Sequence, residues 1–214
     1  MSNLIIFGGT FDPIHNGHIN TAINVQNYFH FDRFIFLPCK VPVLKDNAQA
    51  STTQRLEMLR LAIEETNKSE LHFEIDTREI NRETPSYMVT TLEDYRAELG
   101  NTIAISLLLG IDAFATLPQW YQWGRLLQLA NILVISRPGY QLKSQCLRDL
   151  LNEQETYKAK HIQKRAHGLI YQFNAGLYNL SSTAVRAKIK HDDSINSDLP
   201  ISVGQYIKKN QVYR

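Results

Sequence analysis

The sequence predicts an α/β fold, a doubly wound parallel sheet with helices on both faces. Three observations carry this. The most apolar stretches are short and uninterrupted, the clearest being Leu4-Ile5-Ile6-Phe7, Thr102 to Leu109 and Asn131 to Ser136. Such runs suit strands covered on both faces, as in a parallel sheet. Amphipathic helical patterns lie between them, so strand and helix alternate along the chain. The joining segments are short, with no internal repeat and no low-complexity linker, so residues 1–214 read as one domain.

The elements follow in order. Leu4 to Phe7 forms the first strand. A helix starts near Asn16 to His18 and turns Ile19, Ala22, Ile23 and Val25 inward. Arg33 to Leu37 is the second strand, stopped by Pro38. After a loop over 39–50, Ser51, Thr52 and Thr53 offer caps for a helix with Leu56, Leu59 and Ile63 on one face. Leu71 to Ile75 is the third strand. Pro85 opens a helix that runs to Leu99 and stops at Gly100. Thr102 to Leu109 and Asn131 to Ser136 supply two more strands. Residues 141–167 are rich in Gln, Lys and Glu with few apolar anchors, which predicts a helical excursion on the surface. Gly168 to Phe173 is strand-like, Ser181 to Thr183 caps a helix, and a last helix lies near Leu199 to Lys209.

Composition narrows the function classes. Hydrophobic residues make up 43% and charged residues 21%, ordinary values for a globular protein. A net charge of +2 gives no basis for a polyanion-coating protein. The segment Lys158 to His167 is basic. It lacks an RNA-binding motif and reads as a solvated face, so no nucleic-acid partner is expected. There is no basic flank leading to an apolar signal region, and no membrane-spanning run of about 18 apolar residues. The expectation is a cytoplasmic protein without a membrane partner. Cys39 and Cys146 form no CxxC and suggest neither a thiolate metal site nor a disulfide framework.

The chemistry concentrates in "FGGTFDPIHNGH", Phe7 to His18, directly behind the first strand. In an open parallel sheet, ligands bind beyond the carboxyl ends of the strands. Gly8 and Gly9 fall there and let backbone N–H groups approach a phosphate. His15 and His18 share a face of the first helical turn, where an anion is already favoured. Two imidazoles can donate to phosphate oxygens without a fixed positive charge. Metal ligation is the weaker alternative, because no third ligand is near and no HExxH is present. A purely structural capping role is another alternative. Neither GxGxxG nor GxxxxGK[ST] occurs. A second anion site is suggested by "LSSTAVR", Leu180 to Arg186, where three hydroxyls stand at a helix start one turn before an arginine fork.

GxFDPxHxGH with a later SSTxxR resembles the nucleotidyltransferase superfamily, whose HxGH is shared with class I aminoacyl-tRNA synthetases. The chain is still more similar to the bacterial nicotinate-nucleotide adenylyltransferase family. The further matches are "TPSYMVTTL" (Thr84 to Leu92), "LLGIDAF" (Leu108 to Phe114), "LPQWYQW" (Leu117 to Trp123) and "ISRPGY" (Ile135 to Tyr140). They stand in the family's order and cover nearly the whole chain. The resemblance implies a Rossmann-like fold and transfer of the adenylyl group of ATP to nicotinate mononucleotide, with Mg2+ entering on the ATP. It places Gly8, Gly9, Thr10 and Phe11 on the ATP side, His15 and His18 on the reacting phosphates, and Asp112 at the ribose or nucleotide. It places Ser181, Ser182, Thr183 and Arg186 on the ATP phosphates and Arg137 near the nucleotide. On the acceptor side it stacks Trp120 on the pyridine ring and aims backbone N–H groups around Tyr121 and Met88 at the nicotinate carboxylate. No resident metal site and no oligomeric state are implied. One departure stands out. Where the family often has a Pro-Pro-His-Lys-like segment, this chain has Pro42-Val43-Leu44-Lys45, which keeps only the charge of Lys45 on the acceptor side.

Overall fold

The computed structural model describes residues 3–41, 47–67, 71–136, 139–176, 178 and 180–214. The chain runs β1 (Asn3–Gly9), α1 (Asn16–Phe29), β2 (Arg33–Pro38), α2 (Thr52–Thr66), β3 (Phe73–Ile75), α3 (Arg78–Asn81), α4 (Met88–Leu99) and β4 (Ala104–Gly110). It continues through α5 (Ile111–Ala115), α6 (Leu126–Leu129), β5 (Asn131–Ile135), α7 (Gln145–Gln154), α8 (Ala159–Lys164), β6 (Ile170–Phe173), α9 (Ser182–Lys190) and α10 (Ile201–Asn210). The six strands form one sheet in the order β3-β2-β1-β4-β5-β6, and every pairing is parallel. This is the doubly wound architecture expected. Strand order reverses between β1 and β4, so their carboxyl ends flank the crevice where such sheets bind ligands.

The pleat divides the core between two faces. Ile5, Phe34, Phe36, Leu108 and Leu133 point to the face covered by α1, α2, α8, α9 and α10. Leu4, Ile6, Ile35, Leu37, Leu107, Ile132 and Val134 point to the face covered by α4 to α7. Strands buried on both sides must be apolar at every position, which is why they read as unbroken runs.

Several boundaries differ from the sequence expectation. α4 starts at Met88 rather than Pro85, because Tyr87 is an extended cap residue at φ −87° and ψ 125°. β3 shortens to Phe73–Ile75, and β4 begins at Ala104 rather than Thr102. The inward face of α2 is Arg55, Met58, Leu59, Ala62 and Ile63, with Leu56 only half-buried. Residues 141–167 are tied in more firmly than a surface excursion. Leu147 and Ile162 are fully buried. The buried Asn131 side chain donates to the Ile162 and Arg165 carbonyls and accepts from the Leu169 N–H. The cations Lys158, Lys160, Lys164 and Arg165 are exposed.

Candidate active site

The loop from β1 to α1 lies at the switch point. His15 is the N-cap of α1 and His18 its third residue. His15 Nδ1 accepts the His18 N–H and His18 Nδ1 accepts the His15 N–H, both at 3.3 Å. The rings stack with centroids 3.7 Å apart. A ring nitrogen that accepts a backbone N–H carries no proton, so each neutral imidazole holds its proton on Nε2. The reciprocal capping contacts of α1 thus both run through Nδ1. Burial holds His15 down at about 4 from its ordinary 6.5, against smaller opposing effects of its backbone hydrogen bond and Asp198. His15 is therefore neutral at neutral pH. The glycine between the imidazoles has a steric cause, since a Cβ at Gly17 would come within 3.0 Å of His15 Nδ1.

Below His18 the Phe11 ring is buried and meets it edge-on at 5.2 Å. The same ring lies over Gly9, where a Cβ would collide with it at 2.8 Å. The Thr10 carbonyl accepts from Arg55 at 2.7 Å. Arg55 is 1% exposed and also donates to the Cys39 and Lys40 carbonyls, which locks the loops after β1 and β2 together. Sequence reasoning missed this residue. Three main-chain oxygens replace a carboxylate partner, and nothing in the sequence displays them.

The hydroxyl-rich start of α9 meets the β1–α1 loop. Ser181 caps α9 by accepting the Ala184 N–H. The Ser182 hydroxyl donates to the Pro13 carbonyl at 3.0 Å. Arg186 donates to the Asp12 carbonyl at 2.7 Å and to Thr183 Oγ1 at 3.3 Å. Residues some 170 positions apart in sequence are thereby joined, |i−j| being 169 and 174 for the two contacts to the loop. Asp12 itself was not singled out by the sequence, although it lies inside the motif.

On the other side of β1, a Cβ at Gly8 would sit 3.0 Å from the Met88 terminal methyl. The Tyr87 and Tyr121 rings meet at 4.5 Å with a 32° tilt, which sets the segments 84–92 and 117–123 side by side. Trp120 is half-buried and packs on the core of that face. Met88 opens α4, whose cap residue makes no side-chain cap hydrogen bond, and a helix N-terminus favours an anion. Asp112 is exposed one residue into α5, just past the end of β4. Lys45 and Arg137 lie outside the described residues.

Stacked imidazoles on a helix cap and a hydroxyl-rich helix start, both at the carboxyl end of a parallel sheet, define a class of protein suited to handling nucleotide phosphates. A model of the cytidylyltransferase-like family matches residues 6–188. Within that class the match becomes particular. The chain is 44% identical over 216 residues to the probable nicotinate-nucleotide adenylyltransferase of Legionella pneumophila (strain Paris), covering 100% of both chains. It is 37% identical to the enzyme of the same name from Marinomonas sp. (strain MWYL1), over 100% of this chain and 96% of that one. The chain belongs to the nicotinate-nucleotide adenylyltransferase family. The solved structure of Plasmodium falciparum nicotinic acid mononucleotide adenylyltransferase complexed with NaAD shares the fold, with a TM-score of 0.75 at 18% identity, over 100% of this chain and 98% of that one.

Proposed function

We propose that the chain transfers the adenylyl group of ATP to nicotinate mononucleotide, giving deamido-NAD and pyrophosphate, in NAD biosynthesis. The observation that carries this is the convergence on the end of β1: the Met88 segment against Gly8 on one side, Ser182 and Arg186 against Pro13 and Asp12 on the other. Two substrates can thus meet across one strand end.

The 5′-phosphate oxygen of the mononucleotide attacks the α-phosphorus of ATP in line. A new P–O bond forms, the α–β bridging bond breaks, and pyrophosphate leaves with the electron pair. Positioning and charge stabilisation supply the catalysis. His15 and His18 donate their Nε2–H groups to the reacting phosphates, a role supported by neutral His15 and by the acceptor use of both Nδ1 atoms. Ser181, Ser182, Thr183 and Arg186 hold the ATP phosphates. The backbone of Gly8, Gly9, Thr10 and Phe11 lines the ATP side, with Asp112 at the ribose and Arg137 near the nucleotide. Trp120 stacks on the pyridine ring, backbone N–H groups at Met88 and Tyr121 take the carboxylate, and Lys45 adds charge. Magnesium enters as part of the substrate, held by ATP phosphate oxygens. Among the described residues no cluster of three or more His, Cys, Asp or Glu offers a metal site. No helix among them is long and apolar enough to cross a membrane. The activity resides in one domain over 1–214 and acts in the cytoplasm.

The test is pyrophosphate release with nicotinate or nicotinamide mononucleotide at fixed ATP. An amide in the carboxylate pocket turns an N–H toward a donor and loses charge-assisted bonds, at about 1–3 kcal/mol for each fault. The specificity constants should favour nicotinate mononucleotide by about 10²-fold or more. A ratio near one rejects the carboxylate pocket.

A further inference from the structure

That reaction leaves Asp12 and the last residues of the chain without a part, yet the two are bonded. Asp12 is 4% exposed. Its carboxylate accepts the Gln49 N–H at 2.8 Å, the Ala50 N–H at 3.1 Å and the Tyr213 hydroxyl at 2.7 Å, and lies 3.7 Å from Arg186. Its carbonyl takes the Arg186 guanidinium at 2.7 Å. Tyr213 is the penultimate residue of the chain. It is 7% exposed and stands at φ 71°, with Gln211 at 52°. A bulky residue keeps a left-handed conformation only where its surroundings over-determine it. Here Val212 and Tyr213 are buried in the core, and the Tyr213 hydroxyl ends on Asp12.

We infer that Tyr213 is a positioning residue for ATP: through the Asp12 carboxylate it sets the Arg186 guanidinium and the 49–50 loop against the β1–α1 loop. The inference rests on the proposed role of Arg186 at the ATP phosphates. The C-terminal turn is then a clip on the nucleotide side of the site.

The test compares Tyr213→Phe, which keeps the ring and removes the hydroxyl, with Val212→Ala, which removes buried methyls from the same turn. ATP affinity is read by calorimetric titration, each KM by pyrophosphate release, and folding by thermal unfolding. Tyr213→Phe should weaken ATP about tenfold, the scale of one hydrogen bond to a charged group, with the KM for nicotinate mononucleotide unchanged. Val212→Ala should lower Tm and keep wild-type ATP affinity. In an Arg186→Ala background, Tyr213→Phe should weaken ATP no further. Wild-type ATP affinity in Tyr213→Phe, equal ATP losses in both variants, or a full additional loss in the Arg186→Ala background would each overturn the inference. ATP titration needs no turnover, so a wild-type chain that binds ATP but does not adenylylate nicotinate mononucleotide counts against the proposed function alone.

Discussion

At His15 the two ring nitrogens divide between structure and chemistry. Nδ1 closes the cap of α1, and Nε2 keeps the proton that can reach a phosphate. His18 accepts the His15 N–H through its own Nδ1 but is only half-buried. The two alanine variants should therefore differ. His18→Ala should lower turnover by roughly 10²-fold, the scale of losing one preorganised donor, with little change in Tm. His15→Ala should lower turnover and also cost about 1 kcal/mol or more of stability, from the lost cap alone. An equal Tm for the two variants would contradict the burial argument. The pH dependence follows from the same residue. Its folded pKa, about 4, lies below its ordinary 6.5, so the unfolded chain binds the proton first. Its stabilising contribution is full above pH 6.5 and is lost as pH falls to 4, on the order of 3 kcal/mol. Urea unfolding at pH 7 and pH 4.5 should show a larger loss in the wild type than in His15→Asn; equal losses would remove His15 as the cause.

The start of α9 acts as a unit at the next scale. Ser181 closes its cap on the Ala184 N–H, while the Ser182 hydroxyl and Arg186 bond separately to the β1–α1 loop. Arg186 reaches the Asp12 carbonyl with Nη1 and Thr183 with Nη2, a fork that an ammonium cannot copy. Arg186→Lys should leave most of the loss seen in Arg186→Ala uncorrected. Ser182→Ala should raise the KM for ATP more than that for the mononucleotide. Equal rises for both substrates would indicate that the helix start has collapsed. At α4 the opposite device operates. Residues 85–87 precede the helix, and Tyr87 at its cap packs on Tyr121, so the helix opens at Met88 beside Gly8.

Across the whole molecule, β1 separates the proposed ATP side from the proposed mononucleotide side. Variants on either side should give opposite kinetic patterns. Trp120→Ala should raise the KM for nicotinate mononucleotide more than that for ATP and remove most of the fluorescence response to the mononucleotide, with Trp123 left as background. Arg186→Lys should do the reverse. Steady-state kinetics with each substrate varied in turn checks this, and a common pattern for both variants would mean that the sides are not separate. The sheet also explains why stability and chemistry coexist. The buried Arg55 guanidinium joins loops at the carboxyl ends of β1 and β2. A second buried arginine, Arg96, donates to the Gly100, Ile103, Leu129 and Ala166 carbonyls at the opposite end of the sheet.

What the sequence determined by itself was the parallel sheet, the order of its elements and the helix starts at His15 to His18 and Ser181 to Thr183. Strands covered on both faces must be apolar throughout, and a helix start with hydroxyls or imidazoles shows as a local pattern. Both signals are short-range. The resemblance of the ordered motifs then pointed to the reaction. Tertiary structure alone decided the rest. Arg55 and Arg96 look like surface cations in the sequence and are buried, because their partners are main-chain carbonyls that no residue type announces. Asp12 and Tyr213 meet across 201 positions, and the Pro85 helix start gives way to a contact between Tyr87 and Tyr121. Each is a long-range pairing that satisfies a buried polar group or packs a ring. Local propensity carries no record of which distant group will arrive to do so.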